Sequence, residues 1–461
     1  MASGALFPGL ATVSDAAPLA SRALELIREI YPICRSITGN GVRETLALVA
    51  RSLPLEIFEV PSGTPVFDWE VPLEWNIRDA YIADSAGRRV VDFKRHNLHV
   101  MSYSVPVRAR MTLAELRPHL FSMPDHPDWI PYRTSYYREN WGFCVAHRDL
   151  ERMQDGEYEA VIDSELRPGS LTYAECRIPG EGHEEFVVYT HVCHPSLCND
   201  NATGIAVAAV LAGALMRQQP RLSYRFVFGP GTIGSITWLA RNRDLASRIR
   251  AGLVVGLLGD PAPLTYKRSR RGNTEVDRIS ASVVRELDPR SRVVDFSPYG
   301  YDERQFCSPG FDLPVGRLTR SSNDGYPEYH TSADNLDLVT HDAIAQSLLA
   351  LALILGRVDS NRRYRNLSAN CEPRLGKRGL FRSVGGRSPG ELEHALLWML
   401  NQSDGLHGIN DISAISDLPV ATLGAAAQAL VAAGLLQEIV EPSASSERAN
   451  VRAAGYVNRD N

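Results

Sequence analysis

His191 and Asp200 are the two residues of this chain whose types and spacing most clearly suit chemistry. A strand-forming run at 185–190 delivers His191, a short polar loop delivers Asp200, and a small-residue helix is expected to start at once, over 203–218. An imidazole nitrogen fills one coordination position, and a carboxylate with two oxygens can bridge a pair of cations, so the pairing suits a hydrolytic metal site. Two distant residues fit the same chemistry. Asp260 follows a buried strand expected at 253–258, and His330 lies in the loop Tyr326-Pro327-Glu328-Tyr329-His330-Thr331, with Asp334 a few residues on. The spacing Cys193-x-x-x-x-Cys198 does not match a zinc knuckle, so a cysteine-based zinc site is not expected.

The elements that must position these residues follow from periodicity. From Leu171 strands alternate with helices: strands at 171–178, 185–190, 224–228, 253–258, 292–296 and 314–318, helices at 203–218, 234–242, 274–287 and 342–356. That order is the mark of a doubly wound, mostly parallel α/β sheet, whose ligands sit beyond the carboxyl ends of its strands. The segment 1–60, with helices expected at 20–31 and 42–52, is read as the N-terminal part of this α/β domain, and 164–360 as its main part. Between them, 61–163 is dense in aromatics and prolines (Phe67, Trp69, Trp75, Trp129, Tyr132, Tyr136, Trp141) and nearly free of helical periodicity. It reads as an inserted small β-rich domain. A basic linker at 361–387 leads to three helices and a β-hairpin at 388–461, the outline of a winged helix.

Composition bounds the rest. With 461 residues, 44% hydrophobic and 22% charged, this is an ordinary globular composition for two or three domains. The formal net charge of −5 gives no reason to expect a polyanionic partner. The N-terminal residues lack the basic start and apolar run of a signal peptide, and no stretch reaches the roughly 20 apolar residues of a membrane span. Seven cysteines without a disulfide rhythm suggest reduced thiols and a cytoplasmic setting.

The motifs Asn199-Asp200-Asn201-x-Thr203-Gly204 and His330-Thr331, with Tyr31-Pro32-Ile33-Cys34-Arg35-Ser36-Ile37-Thr38-Gly39 and Tyr266-Lys267-Arg268-Ser269-Arg270-Arg271-Gly272, resemble a known family. The chain resembles the zinc-dependent aminopeptidase clan with co-catalytic metals, in a bacterial branch with an extra N-terminal β domain and a C-terminal winged helix. The resemblance spans essentially the whole chain. It implies a zinc aminopeptidase-type fold, one or two Zn2+ ions, and hydrolysis of an amide bond in a small peptide or aminoacyl conjugate. His191 and Asp260 would hold one metal and His330 the second, with Asp200 bridging.

Two positions depart from the clan. Cys193 stands where an aspartate usually orients the first histidine, leaving His194 or Ser196 to serve. More seriously, a Pro-Glu-Thr-Ile-Gly-Ser turn reads Pro230-Gly231-Thr232-Ile233-Gly234-Ser235, and glycine can neither bind metal nor accept a proton. Restoring Gly231→Glu is therefore expected to tighten a second metal and raise hydrolysis. Either another carboxylate substitutes, or the chain runs different chemistry or has one metal only, or it binds a ligand without hydrolysing it. Asp302 and Glu303 are the expected catalytic carboxylates, with Glu328 a further source. Arg270, Arg271, Arg304 and Tyr329 are the expected substrate contacts, the guanidinium groups suiting a carboxylate or phosphate. A deacylase of glycan or natural-product assembly and a noncatalytic binding protein are the alternatives.

The winged helix is not expected to bind nucleic acid. Its presumed recognition helix, 418–430, contains no lysine or arginine, and 391–461 holds nine acidic residues against three arginines. It is expected to pack on the catalytic domain or on a second subunit, the latter making a homo-oligomer.

Overall fold

The apolar runs between turn signals assemble into one eight-stranded sheet. Its strands lie in the order Glu56–Pro61, Ser170–Ile178, Ser223–Gly229, Glu185–His191, Ile249–Val255, Val315–Thr319, Thr265–Lys267 and Arg292–Val294. The computed structural model describes residues 6–322, 325–380 and 390–439. The four central strands, from Ser223–Gly229 to Val315–Thr319, are parallel neighbours; Glu56–Pro61, Ser170–Ile178 and Thr265–Lys267 join antiparallel. Every residue of Glu185–His191 and of Ser223–Gly229 is buried, as expected of a sheet covered on both faces. This is the mixed α/β fold expected from the alternation of strands and helices. His191 ends its strand, and the Gly231 turn follows the neighbouring one, so both lie at the carboxyl edge of the parallel core.

Two elements differ from expectation. The first helix runs Val13–Ile30, starting seven residues before Ala20, because Thr12 and Asp15 form a capping box that supports a start ahead of Pro18. Thr265–Lys267 is a strand of three residues, too short to show a period in the sequence. Two segments, Cys198–Leu215 and His341–Ser360, are long and apolar enough to cross a membrane, contrary to the sequence reading. Of their apolar windows 83% and 72% are buried inside the protein, so their hydropathy reflects core packing.

Within the segment expected as an insert, Arg89–Asp92, Glu74–Ala83, Glu157–Arg167 and Val107–Thr112 form a four-stranded antiparallel sheet. Its last strand continues four residues past 163. A loop of this segment reaches the His330 loop: Tyr132 N–H donates to the His330 carbonyl at 2.8 Å, and Ser332 N–H to that of Ile130 at 2.9 Å.

The chain divides into two compact units, one of residues 9–352 and one carrying the C-terminal part from Leu353. In the latter, helices Glu391–Gln402, Ile409–Ser416 and Val420–Ala432 pack around Leu396, Met399, Ile412, Leu423 and Leu430. The accompanying sheet places Arg363–Asn366 between Asp404–Gly408 and Leu436–Glu438. The expected linker therefore opens with the central strand of the winged-helix sheet, and among the described residues the strands of that sheet are not joined as a hairpin of chain neighbours. Residues 381–389 of that linker, and those beyond Ile439, lie outside the described residues.

Candidate metal centre

The segment Cys198–Thr203 connects the His191 strand to the helix Gly204–Leu215, and all six of its residues are buried. It turns the Asp200 carboxylate between two imidazoles. His191 Nε2 lies 2.7 Å from Asp200 Oδ1, and His330 Nε2 lies 3.1 Å from Asp200 Oδ2. The strand end and the distant loop thus converge on one carboxylate, as the sequence suggested.

His194 completes the group. Ligand atoms of His191, His194 and Asp200 all lie within 4.8 Å of one another, a spacing that could hold a metal ion. The ring centroids of His194 lie 5.4 Å from His191 and 5.1 Å from His330. Burial pushes the His194 pKa down to about 3, which keeps its imidazole neutral with a lone pair to donate. Burial alone would raise the Asp200 pKa. The surrounding imidazoles, His194 beside it and His191 and His330 through their hydrogen bonds, outweigh that and hold it well below the usual carboxylate range. Two buried imidazoles and one ionised carboxylate are a donor set suited to zinc. His330 remains about a third exposed, so the site opens to solvent on its side.

Three arrangements hold the ligands. Asp334 Oδ1 accepts from Asn199 N–H at 2.6 Å, and its Oδ2 accepts from Asp200 N–H at 3.0 Å and from the Tyr326 hydroxyl at 3.2 Å. Asn201 Nδ2 donates to the His191 carbonyl and lies 3.2 Å from His191 Nδ1, so Asn201 steadies the first histidine in the role expected of His194 or Ser196. Tyr132 sets its ring 5.1 Å from both His194 and His330, while its hydroxyl pairs with that of Tyr136 at 2.7 Å. Backbone strain gathers here too. His194, Ser196, Thr232, Leu257 and His330 all have positive φ, and for a β-branched threonine this is costly.

Asp260 is placed otherwise than the resemblance implied. Its oxygens accept four hydrogen bonds, from Asn199 Nδ2, Ala262 N–H, Ser321 N–H and Ser321 Oγ, at 2.9–3.1 Å, and it stands outside the triplet. It fastens the Asn199 side chain and the Ser321 turn. Glu303 is likewise engaged: Lys267 Nζ donates to it at 2.9 Å, and Tyr301 N–H at 3.1 Å to one oxygen and 3.2 Å to the other. Burial would raise its pKa, but Arg317 and Lys267 lower it, leaving a buried ion pair rather than a poised base. Arg270 and Arg271 pair with Asp312 at 2.9 and 3.1 Å, so they do not converge on the site as expected. Half-buried Arg304 keeps a buried Nε without a hydrogen-bond partner. Tyr329 stacks on His330, with ring centroids 3.9 Å apart. The Glu328 carbonyl closes the turn onto Thr331.

Asp302 is the available carboxylate. Its Oδ1 accepts from Thr232 N–H at 2.8 Å and Ser235 Oγ at 2.6 Å, while its buried Oδ2 has no hydrogen-bond partner. Burial raises its pKa to about 6. Next to it, Tyr301 fills the space facing Gly231. A Cβ on Gly231 would meet the Tyr301 hydroxyl oxygen at 2.1 Å. Gly231→Glu alone would therefore collide with Tyr301, which revises the effect expected of that substitution.

Sheet, metal-capable corner and winged helix together define an aminopeptidase-like α/β protein. Solved structures agree on the fold. A zinc aminopeptidase of Bacillus subtilis matches with TM-score 0.54 at 13% identity, over 74% of this chain and 94% of that one. An M28 peptidase precursor of Shewanella amazonensis matches with TM-score 0.54 at 14% identity, over 75% and 96%. The chain belongs to the family described as a domain of unknown function, DUF4910, whose model matches residues 24–361; a winged helix-turn-helix model matches 362–438. A crystal structure of a Clostridium acetobutylicum protein named as a peptidase is 47% identical, with TM-score 0.82, covering 93% of this chain and 98% of that one. A protein of the same organism, named for polysaccharide biosynthesis and an aminopeptidase-like domain, is 50% identical over 89% of this chain and 95% of its own length.

Proposed function

We propose that the protein is a zinc-dependent hydrolase of an amide bond in a small peptide or aminoacyl conjugate. One observation carries this reading: imidazoles from a strand end and a distant loop meet on opposite oxygens of a single buried carboxylate, with His194 beside them. His191, His194 and Asp200 would hold the ion, with His330 at the open side. A zinc ion there would polarise the scissile carbonyl and activate water. Asp302, with its free oxygen, would take the proton in place of the glutamate that Gly231 cannot supply. Tyr132 and Tyr329 would wall the substrate against the open side, and Arg304 would meet a carboxylate or phosphate on it.

A second reading is favoured by the name of the 50%-identical relative: a deacylase acting on an acylated amino sugar or aminoacyl sugar in glycan assembly. Helix Val420–Ala432 holds no charged residue, which supports a winged helix that contacts protein rather than nucleic acid. Zinc analysis with a panel of aminoacyl-p-nitroanilides and N-acylated amino sugars tests both readings. Zinc with aminoacyl turnover supports the first, zinc with deacylation alone the second. A chain that binds no metal would sink both.

A further inference from the structure

We infer that this site is built for a single metal ion, and that Gly231 and Tyr301 together exclude a second. The inference rests on the metal centre proposed above. A pair of ions needs protein ligands on both sides of a bridging carboxylate. Among the described residues, His191 meets one oxygen of Asp200 and His330 the other, and the one further imidazole, His194, lies between them with its ring 5.4 Å from His191 and 5.1 Å from His330, so three histidines serve the whole carboxylate. Of the neighbouring carboxylates, Asp302 keeps one oxygen free and is the proposed proton acceptor, whereas Asp260, Glu303 and Asp334 are engaged elsewhere. Asp260 accepts four hydrogen bonds. Glu303 is ion-paired with Lys267, and both oxygens of Asp334 hold the Asp200 loop.

The remaining direction of approach is the turn after Ser223–Gly229, and that direction is closed. Position 231 has no side chain, and the volume its Cβ would enter holds the Tyr301 ring, with Oη, Cζ and Cε1 at 2.1, 2.7 and 2.9 Å. Real Cβ contacts are not that short, so Tyr301 would have to leave before a carboxylate could extend from 231. The tyrosine is held from three directions. Its N–H donates to Glu303, its ring lies 4.2 Å from the His191 ring, and its hydroxyl lies 3.6 Å from Cys193 Sγ. Cys193 Sγ in turn accepts from Gly231 N–H at 3.1 Å. Tyr301 thus stands between the Gly231 turn and the first metal ligand, and the smallest residue opposes it.

Metal stoichiometry of the purified full chain tests this. Elemental analysis after zinc loading and removal of weakly bound metal is expected to give one ion per chain, and titration calorimetry to saturate at one equivalent. The Co2+-loaded protein is expected to show the spectrum of an isolated high-spin ion. Two tightly held ions, or a spin-coupled Co2+ pair, would overturn the inference while leaving the proposed hydrolase intact. No bound metal would overturn both. The combined Gly231→Glu and Tyr301→Ala substitutions are expected to raise the count from one to two, with Tyr301→Ala alone staying at one. A folded double variant that still binds one ion would remove Gly231 and Tyr301 as the determinant. If that variant fails to fold, the count on the natural chain still decides the first claim.

Discussion

The Asp200 corner and the Gly231 turn lie at the carboxyl ends of adjacent parallel strands, yet they are built in opposite ways. At the first, ionisable side chains converge, their backbone strained and their carboxylate held ionised by imidazoles. At the second, glycine meets a tyrosine ring, and the nearby acids are either paired or left with one oxygen free. A hydrolytic centre needs both a Lewis acid and a proton acceptor. In the hydrolase proposed above, the first region would supply the Lewis-acid half, while the acceptor would have to come from another element. Asp302, one residue from Tyr301 and with one oxygen free, is the proposed acceptor.

The largest expected effect breaks the first region. Asp200→Ala removes the carboxylate shared by both imidazoles and should weaken zinc binding by more than the ~10–100-fold that outer-shell changes typically cost. Calorimetry would register this, and hydrolysis should disappear with the metal. Asp302→Asn should then lower kcat by on the order of 10²–10⁴-fold with the metal retained. In the natural protein the basic form of Asp302 prevails above pH 6, so activity should fall as pH drops through about 6. A variant as fast as the natural chain would return the base to some other group.

The same residue separates function from stability. The native carboxyl holds its proton to about pH 6, whereas the ordinary carboxyl loses it near 3.8. Stability contributed by the buried neutral acid is therefore present at low pH and lost as pH rises across that window. Asp302→Asn should be more stable than the natural protein at pH 7–8, by on the order of 2–3 kcal/mol in urea unfolding, while being less active.

Smaller effects sharpen the assignment of the other acids. Lys267→Met leaves the fully buried Glu303 without its cation and should cost about 3 kcal/mol of stability, with metal stoichiometry unchanged. Loss of metal instead would place Glu303 in the site. Arg270→Ala and Arg271→Ala, each breaking a half-exposed pair with Asp312, should change stability by less than about 1 kcal/mol and leave KM within error. A several-fold rise in KM from either would show that substrate reaches them.

The sequence made much of this architecture legible because its signals were local. The apolar runs that became Glu185–His191 and Ile249–Val255, and the polar loop before Gly204–Leu215, are readable as strand, loop and helix, and they carry His191 and Asp200 to the sheet edge. His330 was legible only through its motif. The misreadings concern tertiary placement. Asp260 has the right residue type at a strand end, but Ser321, Asn199 and Ala262 take up its oxygens, which no spacing announces. His194 joins the centre because a positive-φ turn aims it inward, and neither Tyr301 nor Tyr132 carries a local signal. The absence of a side chain at Gly231 was plain in the sequence; what fills the space was not.

X-ray absorption at the zinc edge of the purified chain reads the donor set around the ion itself. The expected spectrum has a shell of nitrogen and oxygen donors near 2.0–2.2 Å, with the multiple-scattering signature of at least two imidazoles and no sulfur near 2.3 Å. Zinc bound through sulfur, through fewer than two imidazoles, or not at all would contradict the proposed centre.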